Sequence, residues 1–90
     1  MATSEGTTAV SSQFTVLNRS GCHLCDDFLA ALRPLQAKYG FSLDVIDVDR
    51  HPELEARFGE RVPVLLAREV ELCHYYLDMA AVRACLLNFR

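Results

Sequence analysis

Ninety residues, 51% hydrophobic and 23% charged, fit one globular domain with a single modest core and leave no room for a second. A formal charge of −3 argues against a nucleic-acid backbone or an anionic membrane surface as partner. The longest apolar runs, such as Val62-Pro63-Val64-Leu65-Leu66-Ala67, fall far short of the roughly 20 residues that cross a bilayer.

Residues 1–13 are small and polar, with no basic stretch followed by an apolar one, so no secretory signal is expected. They bury too little to offset ordering, which predicts a flexible tail ahead of one domain over 14–90. The expected compartment is the cytoplasm, where structural disulfides are uncommon and a monomer held by its own core suffices.

Phe14-Thr15-Val16-Leu17 reads as a first strand ending in the turn formers Asn18-Arg19-Ser20-Gly21. Leu24, Phe28, Leu32 and Leu35, with Leu29 alongside, follow a helical period that Gly40 stops. Pro34 inside it predicts a kink near Ala30. A second strand is predicted over Leu43 to Val48. A short helix follows from Pro52 to Phe58, closed by Gly59. Val62 to Leu66 and Glu69 to Cys73 predict a hairpin, although Ala67-Arg68 is not a favoured two-residue turn. Asp78 suits the N-cap of a last helix with Val82, Cys85, Leu86 and Phe89 on its apolar face. The order β-α-β-α-β-β-α makes the first two strands parallel neighbours and the last pair antiparallel.

Cys22-His23-Leu24-Cys25 is a C-x-x-C, a spacing shared by redox and zinc sites. Here it follows a strand and a glycine turn and opens a helix. Free backbone N–H groups at a helix start favour a thiolate, which is the nucleophilic form of cysteine. A helix dipole contributes only ~0.3–1 kcal/mol, so moderate activation of Cys22 is expected. Arg19 and His23 add to it, and Asp26 and Asp27 oppose it. A zinc site would need two more ligands, for which Cys73-His74 is the one candidate. An inert buried pair is the third reading, and no metal ligand is assigned.

Arg19-Ser20-Gly21-Cys22, completed by Cys25, resembles the active-site turn of glutaredoxins. Val62-Pro63 resembles the Val-Pro pair, with a cis proline, that thioredoxin-superfamily members set opposite the reactive cysteine. Asp47-Val48-Asp49, Pro52-Glu53-Leu54 and Phe58-Gly59 strengthen the likeness, which is greatest to short bacterial glutaredoxin-like proteins carrying Cys-His-Leu-Cys. The resemblance implies an α/β thioredoxin fold: a four-stranded mixed sheet of order 2-1-3-4 with helices on both faces.

It further implies a thiol-disulfide oxidoreductase in which Cys22 attacks and Cys25 resolves. The substrate contacts would come from Arg19, His23, Val62 and Pro63. The expected substrate is a disulfide-bearing protein or a small thiol compound. The expected reductant is glutathione or a thioredoxin-type reductase, with no bound cofactor. Two departures from the glutaredoxin pattern leave glutathione open as a co-substrate. His23-Leu24 replaces Pro-Tyr between the cysteines, and His74-Tyr75-Tyr76-Leu77-Asp78 stands where a Gly-Gly pair and a capping residue are usual. The alternatives on the same fold are a metal or Fe–S carrier and a catalytically idle adaptor that binds a protein partner.

Overall fold

The computed structural model describes residues 14–88. The tail expected over 1–13, and Phe89 of the last helix, lie outside the described residues. Four strands form one sheet: β1 (Phe14–Asn18), β2 (Leu43–Asp47), β3 (Val64–Ala67) and β4 (Val70–His74). Three helices join them: α1 (His23–Tyr39), α2 (Pro52–Phe58) and α3 (Met79–Leu87). Single 3-10 turns at Val48–Arg50 and Gly59–Arg61 flank α2.

The sheet order is β2-β1-β3-β4, the 2-1-3-4 order that the resemblance implies. β1 runs parallel to β2 and antiparallel to β3, and β3 is antiparallel to β4. Alternation along β1 and β3 sends side chains to opposite faces. Phe14, Val16, Leu65 and Ala67 meet Phe28, Leu32 and Leu35 of α1 and Val82 of α3 in the larger cluster. Leu17 and Val64 turn the other way, onto Val48 and Phe58 of α2. Helices α1 and α3 therefore cover one face and α2 the other. Phe41 closes the larger cluster with its ring edge-on to Phe14, 4.7 Å between centroids.

Local chemistry explains the helix ends. Gly40 takes a left-handed conformation (φ 74°) and its N–H bonds the Gln36 carbonyl, ending α1. The Asp78 carboxylate accepts the Ala81 N–H at 3.0 Å and starts α3. Helix α1 runs through Pro34 as one element, with that proline exposed on its outer side.

The hairpin differs from the sequence reading. Strand β3 starts at Val64, because Pro63 has no N–H to give a ladder and stays outside. Strand β4 runs Val70 to His74, and the two-residue turn is Arg68-Glu69, with Arg68 in the left-handed region at φ 58°. Leu65 pairs Cys73 while Leu66 pairs Glu71, so Leu72 is an extra residue on β4. This bulge lets Leu72 and Cys73, neighbours in sequence, both pack against the larger cluster.

Candidate functional site

The register brings one end of every strand together. Asn18 pairs Asp47, Leu17 pairs Val64, and Val64 pairs His74. The connections carrying Cys22, Asp49, Pro63 and Tyr75 therefore leave the sheet from the same end.

Cys22 is the N-cap of α1, in an extended conformation. Its Sγ accepts the backbone N–H of Cys25 at 3.0 Å, and its carbonyl accepts that of Asp26 at 3.1 Å. Gly21, just before it, has φ 74°, which makes the sharp entry into the helix. Cys22 and Cys25 form a disulfide, their Cα atoms 5.1 Å apart. The two sulfurs are not equivalent. Cys22 is partly exposed, whereas Cys25 is fully buried. His23, the first residue of α1, is exposed beside the pair.

The peptide bond between Val62 and Pro63 is cis. Val62 is partly exposed in an extended conformation, and Pro63 is buried beneath it. Tyr75 straps this loop from the far side. Its backbone N–H bonds the Pro63 carbonyl at 2.8 Å, and its hydroxyl donates to the Glu60 carbonyl at 2.9 Å. To do so Tyr75 holds φ 65°, a conformation that favours glycine. Its ring meets His74 edge-on, centroids 4.8 Å apart.

Two ionic clusters frame the loops. Arg19 is ion-paired with Glu55 on α2 and lies 3.7 Å from Asp49. Its Nε is buried without a hydrogen-bond partner among the described residues. The resemblance implied Arg19 as a substrate contact, and the structure gives it carboxylate partners within the chain. Asp47 supports this arrangement, since its side chain accepts the Asp49 N–H at 2.9 Å. A Cβ at Gly59 would meet the Glu55 carboxylate, the far end of a flexible side chain that would have to shift.

The second cluster joins Glu71 of β4 to Arg61 and to His74 Nδ1, each at 2.9 Å. Burial pushes the Glu71 carboxyl up, but the hydrogen bonds and charges of Arg61 and His74 outweigh it and hold it below its ordinary 4.5. Arg61 also lies over the Phe58 ring at 5.3 Å. Sequence reasoning missed both clusters, as well as the strap made by Tyr75. Only the φ above zero in a non-glycine residue marks Tyr75, and that is invisible in a sequence.

The remaining cysteines sit elsewhere. Cys73 and Cys85 are free, half-buried and packed against the larger cluster. Burial pushes both thiols up, away from the reactive thiolate. No group of three or more metal-binding side chains occurs among the described residues. Among them, too, no helix is long and apolar enough to cross a membrane.

Comparison with known proteins agrees with this geometry. An uncharacterised protein of Mycobacterium tuberculosis H37Rv is 35% identical over 77 residues, covering 80% of this chain and 79% of its own. A Nitrosomonas europaea protein solved by NMR shares 44% identity with a TM-score of 0.73, over 81% of this chain and 88% of its own. Thioredoxin 1 of Thermosipho africanus, 18% identical, superposes with a TM-score of 0.58 over 84% of this chain and 91% of its own. That likeness concerns the fold, and it is the thioredoxin fold. A partly exposed and a buried cysteine at disulfide distance on that fold are compatible with redox chemistry. Residues 13–87 match the glutaredoxin-like domain family (DUF836), and the chain is a member of that family.

Proposed function

We propose that this protein is a thiol-disulfide oxidoreductase working through Cys22 and Cys25. One observation carries the reading: the partly exposed Cys22 caps a helix and its sulfur receives a backbone N–H, while its disulfide partner Cys25 is fully buried. A hydrogen bond to sulfur and the helix start both favour a thiolate at Cys22. Burial of Cys25 leaves Cys22 as the sulfur a substrate can reach.

In the reduced protein the Cys22 thiolate attacks one sulfur of a substrate disulfide. A Cys22–substrate disulfide forms and the other substrate sulfur leaves as a thiolate. Cys25 then loses its proton and attacks Cys22 Sγ, expelling the second substrate thiolate. The substrate gains two electrons and takes up two protons, and the protein is left with the Cys22–Cys25 disulfide seen here. The second step is intramolecular, so the resolving thiol acts at high effective concentration. Val62, extended beside Pro63, supplies a backbone edge along which a substrate chain can lie as an added strand. His23 is exposed beside Cys22 to meet the substrate. Arg19 fixes the cysteine loop to α2 through Glu55, and a substrate carboxylate would have to displace that partner. The reductant that resets the pair is glutathione or a thioredoxin-type reductase, and the reducing cytoplasm is the compartment that suits it.

Single replacements test this. Cys22→Ser abolishes reduction of a mixed disulfide, and Cys25→Ser accumulates a covalent intermediate visible by mass spectrometry. Wild-type rates in both variants would refute the proposal.

A further inference from the structure

Beside the cysteine pair runs a cleft of about 300 Å³ between α1 and the segment that links β4 to α3. Phe28 and Ala31 form one wall, and Tyr75, Tyr76, Leu77 and Met79 form the other. The lining is apolar except for one residue, Asp27. Tyr76 is 71% exposed and Met79 44%, so these side chains stand in solvent over the cleft instead of packing into the core. An exposed apolar surface with this concentration of aromatic and methionine side chains marks an interaction site.

Each wall of the cleft is tied to the proposed site through the chain. Asp27 and Phe28 lie two and three residues after Cys25 on the same helix. Tyr75 is hydrogen-bonded through its backbone to the Pro63 carbonyl. A chain laid along Val62 with its sulfur at Cys22 therefore has this cleft beside it. The charge at the cleft is one-sided. Asp27 lines it, Asp26 is exposed next to it, and the exposed Asp78 sits between Leu77 and Met79. The cation on the cysteine loop, Arg19, is already paired with Glu55.

We infer that this cleft selects the substrate: it takes an apolar or aromatic side chain of a disulfide-bearing polypeptide whose neighbouring residue is basic. The location rests on the oxidoreductase reading, but binding in the cleft does not require the redox step. Small anionic disulfides gain nothing from the apolar walls and are repelled by the carboxylates.

The test is a titration of the oxidised, isotope-labelled full chain with two pentapeptides, followed by NMR. Both peptides carry a central serine in place of cysteine with phenylalanine on either side. One ends in lysines and the other in glutamates. The expected result is shifts at Ala31, Tyr76 and Met79. The lysine peptide should bind roughly two- to fivefold tighter at low salt, as exposed charge pairs of ~0.4–1 kcal/mol predict. High salt should narrow the difference. Asp27→Lys should weaken the preference for the lysine peptide, and Tyr76→Ala should weaken both peptides. Equal binding of the two peptides, or shifts confined to other surfaces, would overturn the inference. So would a dilution series in which the same resonances move without peptide, which would assign the cleft to a second copy of this chain. Loss of reduction by wild-type protein on a small neutral disulfide would defeat the oxidoreductase reading and leave these binding results standing.

Discussion

Tyr75 offers the sharpest test of the geometry around the proline loop. It is a bulky residue at φ 65°, where a Cβ costs about 1–2 kcal/mol. Three contacts hold it there: its N–H on Pro63, its hydroxyl on Glu60 and its ring against His74. Tyr75→Ala removes the last two and keeps the backbone cost. Tyr75→Gly removes the same two but relieves that cost, while glycine loses ~0.5–1 kcal/mol more conformational entropy on folding. Subtracting the central values leaves glycine more stable than alanine by about 0.5–1 kcal/mol. In an ordinary extended segment the order is the reverse by a similar amount. Urea denaturation reads the sign directly. With a slope near ~1 kcal/mol per molar for a small domain, the glycine midpoint lies about 0.5–1 M above that of alanine. Tyr75→Phe, which loses only the exposed hydroxyl bond, should sit within about 1 kcal/mol of wild type. An alanine variant as stable as the glycine variant would refute the left-handed strap. The two variants should also raise KM for a peptide disulfide, since the segment leading to Val62 loses the hydroxyl tether at Glu60 and keeps only the backbone bond at Pro63.

Further outcomes follow from burial and charge. Leu32 is fully buried at the centre of the larger cluster, so Leu32→Ala should cost ~2–5 kcal/mol, read as a fall of roughly 10 °C or more in Tm. A fall of a few degrees would place Leu32 outside the core. The Glu71 carboxyl is held below 4.5 in the folded chain, so its interactions stabilise the protein above that pH. That stability is lost as pH falls through the lower folded value. Urea midpoints between pH 7 and 3 should therefore drop less steeply in Glu71→Gln than in wild type. After reduction, iodoacetamide at neutral pH should label Cys22 well before Cys73 and Cys85, whose thiols burial pushes up. Peptide mass spectrometry over time would show the order, and faster labelling of Cys73 would contradict the assignment.

Local chemistry written in consecutive residues determined much of this protein. The cysteine pair after a strand and a glycine turn, the helical stripe through Phe28, Leu32 and Leu35, the stop at Gly40 and the cap at Asp78 need only neighbours a few residues away. The element order came from the same information, and with the chirality of crossovers it made the first two strands parallel neighbours, whereas the full 2-1-3-4 sheet order was what the glutaredoxin resemblance implied. Tertiary structure decided what depends on distant partners. Arg19 met Glu55 of α2 across 36 positions, and Arg61 met Glu71 of β4 across ten, because folding sets these elements side by side. The bulge at Leu72 broke the alternation that the strand pattern predicts, so that two successive side chains could fill one core. Tyr75 accepted a conformation its own chemistry disfavours, because the Pro63 and Glu60 carbonyls lie where its N–H and hydroxyl can reach them. Periodicity and capping act within a turn or two of chain, whereas ion pairs, bulges and straps answer to what folding brings alongside. The cysteine pair was therefore legible from the residues, and the cleft near it was not.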